Sequence, residues 1–229
     1  MEKIKYNADH IEMNKSVSGC FAMFLLFIGI TFTPLCLRDS TDFTARGLLF
    51  PLLVILEFIF IFPLYYIYFR KREGLGVGNL QLKTFMSLFM IILLIQYLFP
   101  YLYGINKVEA WSKSLSGLGG SIYWINALLL ICIVPVYEEI VFRGCLFNIF
   151  KFWFRGNVFC AAITVALIFS TLHLQYTETR TFIMLFLVSL MLTIARIKSR
   201  GLLMPVLLHM LMNLVVIGIQ YVAYILLVR

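Results

Sequence analysis

Charge is what this sequence has least of. Only 13% of its 229 residues are charged, 19 Lys and Arg against 11 Asp and Glu, while 62% are hydrophobic and the mean hydropathy is +0.96. Soluble domains carry about twice that share of charge and fewer apolar residues. A chain of this size lacks the polar surface to cover so much Leu, Ile and Phe in water, which excludes a cytosolic enzyme and a nucleic-acid-binding domain. The cysteines have no CxxC or zinc-type spacing, and a secreted disulfide scaffold is excluded with them. Cys20, Cys36, Cys132, Cys145 and Cys160 all fall inside apolar stretches and are expected to be small buried hydrophobes. Internal repeats and low-complexity segments are also missing, which makes an inverted-repeat carrier the least expected class. Neither GxSxG nor HExxH occurs, so a serine nucleophile elbow and an ordinary zincin are excluded.

What the chain does contain is long apolar stretches. A membrane-spanning helix needs about 20 such residues, and seven stretches qualify: Val17–Leu37, Gly47–Phe69, Thr84–Tyr103, Ser121–Phe154, Asn157–Leu174, Thr181–Ala195 and Leu202–Val228. The fourth is over-long and carries charges, so it is expected to tilt, break near Pro135, or end at the interface. The seventh is long enough for Gly218 to divide it. The expected fold is therefore all-α, a polytopic transmembrane bundle of seven or eight spans. Its expected divisions are a polar tail (1–16), N-terminal transmembrane helices (17–120) and a core (121–229). The tail precedes an apolar stretch without a small-residue cleavage pattern and is expected to be retained.

The formal charge of +8 lies in the short loops, where it suits anionic lipid headgroups better than nucleic acid. Counted by alternate loops, Lys and Arg divide twelve against six. That asymmetry places the N-terminus in the cytoplasm, since cytoplasmic loops carry the excess of cations.

Ionisable groups within spans are costly and usually functional. Those present are Glu57, Glu138, Glu139, Arg143, His173 and His209, with Asn213 as a polar companion. In PVYEEIVFRG, Glu139 and Arg143 stand four apart with the acid N-terminal, the favoured arrangement for an ion pair. Glu138 projects about 100° away from its neighbour and is left less compensated, which suits a general base; a structural ion pair between helices is the plainer alternative. In FSTLH, Phe169 and His173 share a face. In HMLMN, His209 and Asn213 share one, a spacing suited to a water, an oxyanion or a metal, and equally to ordinary interhelical hydrogen bonding. Two Glu, two His and an Asn from separate helices supply what peptide hydrolysis needs: a carboxylate for water, an acid for the amine, and donors for the oxyanion. Glu57 stands outside these groups, mid-span, without an identifiable partner.

EEIVFR at 138–143, FSTLH at 169–173 and HMLMN at 209–213 resemble the EExxxR, FxxxH and HxxxN motifs of the CPBP family of CAAX-protease and bacteriocin-processing membrane proteins, also called Abi or Rce1-like. All three occur in family order within the last ~90 residues. The resemblance implies an intramembrane endopeptidase in a bacterial plasma membrane, its site open to the cytoplasm, with a peptide or protein substrate. It implies that Glu138 activates water, that His173 assists, that His209 and Asn213 form the oxyanion site, and that Glu139 and Arg143 orient the cluster. Family members are often called metalloproteases; a Glu/His/His set could hold Zn²⁺ and could equally act without metal. The alternative is a non-catalytic membrane scaffold or bacteriocin self-immunity protein. Helix counting leaves one mismatch: His209 lies nearer the cytoplasmic end of its span than His173 does of its own. The motifs meet only if their helices are offset by about two turns, ~10 Å.

Overall fold

The computed structural model describes residues 2–36, 40–72, 74–102 and 109–228, and among them every regular element is helical. Leu37 and Tyr103, expected ends of the first and third stretches, and the loop cations Arg38 and Lys107 lie outside the described residues. The helices are α1 (Glu2–Thr31), α2 (Ser40–Ala45), α3 (Leu49–Phe69), α4 (Leu82–Leu98, continuing through Phe99–Leu102), α5 (Ala110–Gly117), α6 (Gly120–Trp153), α7 (Val158–Thr171), α8 (Thr179–Ser199) and α9 (Leu203–Val228).

Four of these are long and apolar enough to cross a membrane: α3, α6, α8 and α9. The apolar parts of α1 (Ser16–Thr31), α4 and α7 are shorter. Together they fall on the seven stretches read from the sequence, and the chain is an integral membrane protein. Large apolar side chains such as Ile59, Ile67, Leu128, Leu167 and Leu226 point outward, as a hydrocarbon solvent allows. The same outward packing corrects the reading of the cysteines. Cys20 and Cys145 are buried, but Cys36 and Cys132 are exposed, because an apolar residue in a membrane protein need not face protein.

Gly218 does not divide the last stretch. α9 runs through it unbroken, since a single glycine costs a helix only about 1 kcal/mol. Nor does α6 break at Pro135. It widens into a π turn over Leu129–Ile133, just before the proline, and again over Ile140–Leu146. Proline lacks an N–H and its ring crowds the preceding turn, and the wider turn accommodates both defects.

Two packed cores position the site. One joins α1, α3, α6 and α7 through Met23, Phe27, Val54, Ile61, Phe142 and Phe169. Phe142 lies inside the EEIVFR segment and meets Phe27 and Phe169 edge-on at 5.6 and 5.0 Å, so the motif is packed on both sides. The second joins α4, α8 and α9 through Ile92, Leu192, Met204 and Leu208. At one end, the loop after α3 lies against the turn between α8 and α9: Asn79 N–H donates to Ser199 O and Leu202 N–H to Gly76 O. Gly78 has φ +74°, and a Cβ on Gly201 would meet its backbone at 2.3 Å, so both glycines are required there. The two basic loops counted on one side of the membrane are thus in contact.

α7 is shorter than the stretch read from the sequence. The expected stretch ran from Asn157 to Leu174, but the helix has 14 residues, about 21 Å. Asn157 caps its start, accepting from Cys160 N–H, and exposed Trp153 and Arg155 mark an interface there. α7 is shorter than the ~20 residues a membrane-spanning helix needs. It stops because His173 Nδ1 turns back to Phe169 O at 2.7 Å, occupying one of the carbonyls a helix end leaves free.

Candidate active site

The three motifs converge where α6, α7, α8 and α9 meet. Glu139 and Arg143 are fully buried and paired at 3.0 Å. Arg143 also donates through Nη2 to Ser189 Oγ at 2.8 Å and Ser189 O at 3.3 Å, and its guanidinium lies 4.4 Å above the Phe169 ring. A buried cation is tolerated only with such company. Ser189 was not singled out from the sequence; a serine in an apolar span carries no signal until its partner is known.

His209 Nδ1 stands 2.8 Å from the same Glu139 Oε1 that takes Arg143. Because the acceptor is a carboxylate, Nδ1 carries the proton and Nε2 is the outward nitrogen. Nε2 lies 3.9 Å from Glu138 Oε2, beyond direct hydrogen-bond reach. Glu138 is 12% exposed, and its Oε2 has no hydrogen-bond partner among the described residues. His173 behaves like His209: a carbonyl holds its Nδ1, which leaves Nε2 outward. The Phe169 ring links the two imidazoles, with centroids 4.5 Å from His173 and 6.3 Å from His209.

The structure thus brings together Glu138, Glu139, Arg143 and His209 directly, and His173 through Phe169. Asn213 is directed elsewhere, its Nδ2 donating to Leu130 O on α6 at 2.8 Å. No three His, Cys, Asp or Glu side chains among the described residues gather as a metal would require. One oxygen of Glu139 and both Nδ1 atoms are committed to protein partners, whereas Glu139 Oε2 has no hydrogen-bond partner among the described residues.

Three further residues support the cluster. Glu109, 8% exposed and ahead of α5, accepts from Thr177 N–H at 3.2 Å, Glu178 N–H at 3.3 Å and the Thr181 hydroxyl. It thereby satisfies the non-helical backbone that follows His173, which lipid could not do. Burial pushes its carboxyl upward, but the donors outweigh this and hold it below the ordinary carboxylate range. Tyr176 stacks parallel to His173 at 6.2 Å and meets Trp111 of α5 edge-on. Glu57, 5% exposed, accepts from Thr31 Oγ1 at 2.7 Å and is hydrogen-bonded to Tyr137, the residue before Glu138. Its missing partner is thus the motif's own neighbour, invisible until α3 is laid against α6.

Residues 120–215 match the family model described as Type II CAAX prenyl endopeptidase Rce1-like, and all three motifs fall within that range. An uncharacterized 24.3 kDa protein of Escherichia coli is 40% identical over 86 residues, which is 38% of this chain and 40% of that protein. The chain therefore spans less than half the length of this relative. No solved structure matches. Over residues 120–215 the chain is thus similar to the Rce1-like type II CAAX prenyl endopeptidases, the likeness its three motifs carry.

Proposed function

We propose that this protein is a membrane-embedded endopeptidase that hydrolyses a peptide bond of a membrane-associated protein or peptide precursor, using water activated by Glu138. One observation carries the reading. Glu139 fixes His209 so that its free nitrogen faces the unpartnered oxygen of a partly exposed carboxylate.

The chemistry follows from that arrangement. Glu138 takes a proton from water, and the hydroxide attacks the carbonyl carbon. Glu138 then returns the proton to the nitrogen as the C–N bond breaks. Glu139 holds His209 so that its Nε2 faces the carbonyl under attack, and His173 stands beside it with its own Nε2 outward. Arg143 shares the charge of Glu139 and keeps both in register. No step is routed through a metal. The divisions 1–16, 17–120 and 121–229, a bacterial plasma membrane and a cytoplasmic N-terminus belong to the same reading, supported by the cation asymmetry and the Escherichia coli relative.

The test compares wild type and Glu138→Ala, purified in detergent, on a peptide library read by mass spectrometry, with and without chelator. Cleavage abolished in the variant and indifferent to chelator is the expected result. Chelator-sensitive cleavage would overturn the metal-free mechanism. Absence of wild-type cleavage, with the variant still performing its cellular role, would replace the enzyme with a scaffold.

A further inference from the structure

The two histidines of the site are held in different ways. His209 lies within the continuous turns of α9 and is anchored by the Glu139 carboxylate. His173 stands two residues beyond the end of α7, on non-helical backbone. The contact of its Nδ1 with Phe169 O fixes one ring nitrogen but not the plane of the ring. Flat neighbours fix the plane: the Phe169 ring is tilted 51° to the imidazole, and the Tyr176 ring lies within 6° of parallel at 6.2 Å. Tyr176 rides on the same non-helical segment and needs support in turn. Trp111 of α5 gives it, meeting Tyr176 edge-on at 5.8 Å and Phe50 of α3 edge-on at 6.2 Å. Among the described residues Trp111 has ring contacts with these two and none with His173.

We propose that Trp111 and Tyr176 are positioning residues for His173. Trp111 holds the Tyr176 ring, and that ring sets the plane of the imidazole and with it the direction of Nε2. Trp111 follows Glu109 by two residues, so one short stretch ahead of α6 secures both the backbone beyond His173, through Thr177 and Glu178 N–H, and the ring against it. That stretch lies outside residues 120–215, so the site is completed by a part of the chain that none of the three motifs contains. The worth of this orientation to cleavage rests on the protease reading above, whereas the brace itself does not.

The histidine ring NMR signals of the full chain in detergent test this, assigned with His173→Gln and His209→Gln. They are compared for wild type, Trp111→Ala and Trp111→Phe, with peptide cleavage measured on the same samples. Because Trp111 does not touch His173, a change in the His173 signal reports transmission through Tyr176. In Trp111→Ala that signal is expected to shift or broaden while the His209 signal stays. The same variant should lose about tenfold in kcat with KM unchanged, the rate equivalent of one aromatic pair. Trp111→Phe, which keeps a ring edge for Tyr176, should retain both signal and rate. Trp111→Leu should behave like Trp111→Ala and covers the case in which alanine is not tolerated. An unmoved His173 signal overturns the brace. Movement of both histidine signals together would mean a general loss of packing and overturns it as well. A moved His173 signal with unchanged kcat overturns its role in cleavage. Should wild type cleave nothing, the protease reading fails, and the spectra alone still decide the brace.

Discussion

Glu139 is fully buried and gives a single oxygen to both Arg143 and His209, while Glu138 beside it is 12% exposed and lies 3.9 Å from His209. One peptide bond separates a carboxylate anchored by Arg143 and His209 from one that stands beyond hydrogen-bond reach of His209. The difference comes from helix geometry. Adjacent residues point about 100° apart, so one meets Arg143 and His209 directly and the other does not. Chemistry and architecture are thereby divided between two neighbouring side chains of the same type.

Substitutions can break or sharpen this division. Glu138→Ala should cost the most in activity, about 10²–10⁴ in cleavage rate, yet leave unfolding in detergent within roughly 1 kcal/mol of wild type. Equal loss of stability would mean that Glu138 is architectural after all. Arg143→Leu should do the converse, leaving Glu139 itself as a buried charge without its cation and costing about 3–5 kcal/mol, visible as a lower midpoint of thermal unfolding.

Glu109→Gln falls next, at about 1–3 kcal/mol for weakening bonds to a charged acceptor. It also has a pH signature. Since the folded carboxyl lies below its unfolded value, its stabilisation is complete above the ordinary carboxyl range, ~4.3, and is lost as pH falls through the lower folded value. Unfolding midpoints followed down through that range should therefore decline less steeply in Glu109→Gln than in wild type. Tyr137→Phe is the mildest, removing one neutral partner of Glu57 at about 1 kcal/mol; a larger fall in kcat than in stability would tie Glu57 to the chemistry of Glu138.

The sequence disclosed the three motifs because their residues are expensive in lipid, and it disclosed the helices because apolar runs are long. It concealed what depends on partners. Four-residue spacing puts His209 and Asn213 on one face, but only packing directs one to Glu139 and the other to Leu130. The π turns around Glu138 and Glu139 leave no trace in hydropathy, since the same apolar residues fill either kind of turn. Cys132 and Cys145 look alike in sequence and differ only in whether lipid or protein lies opposite. Glu109 looks like a loop charge until the backbone beyond His173 needs an acceptor.

The shortness of α7 also bears on how the protein enters the bilayer. Fourteen residues do not make a self-sufficient spanning segment, and the irregular backbone at its end carries polar groups that lipid cannot solvate. α8, with 21 residues, can partition into the membrane by itself. α7 is therefore the dependent half of a helical hairpin with α8, and the polar backbone of the turn between them relies on Glu109.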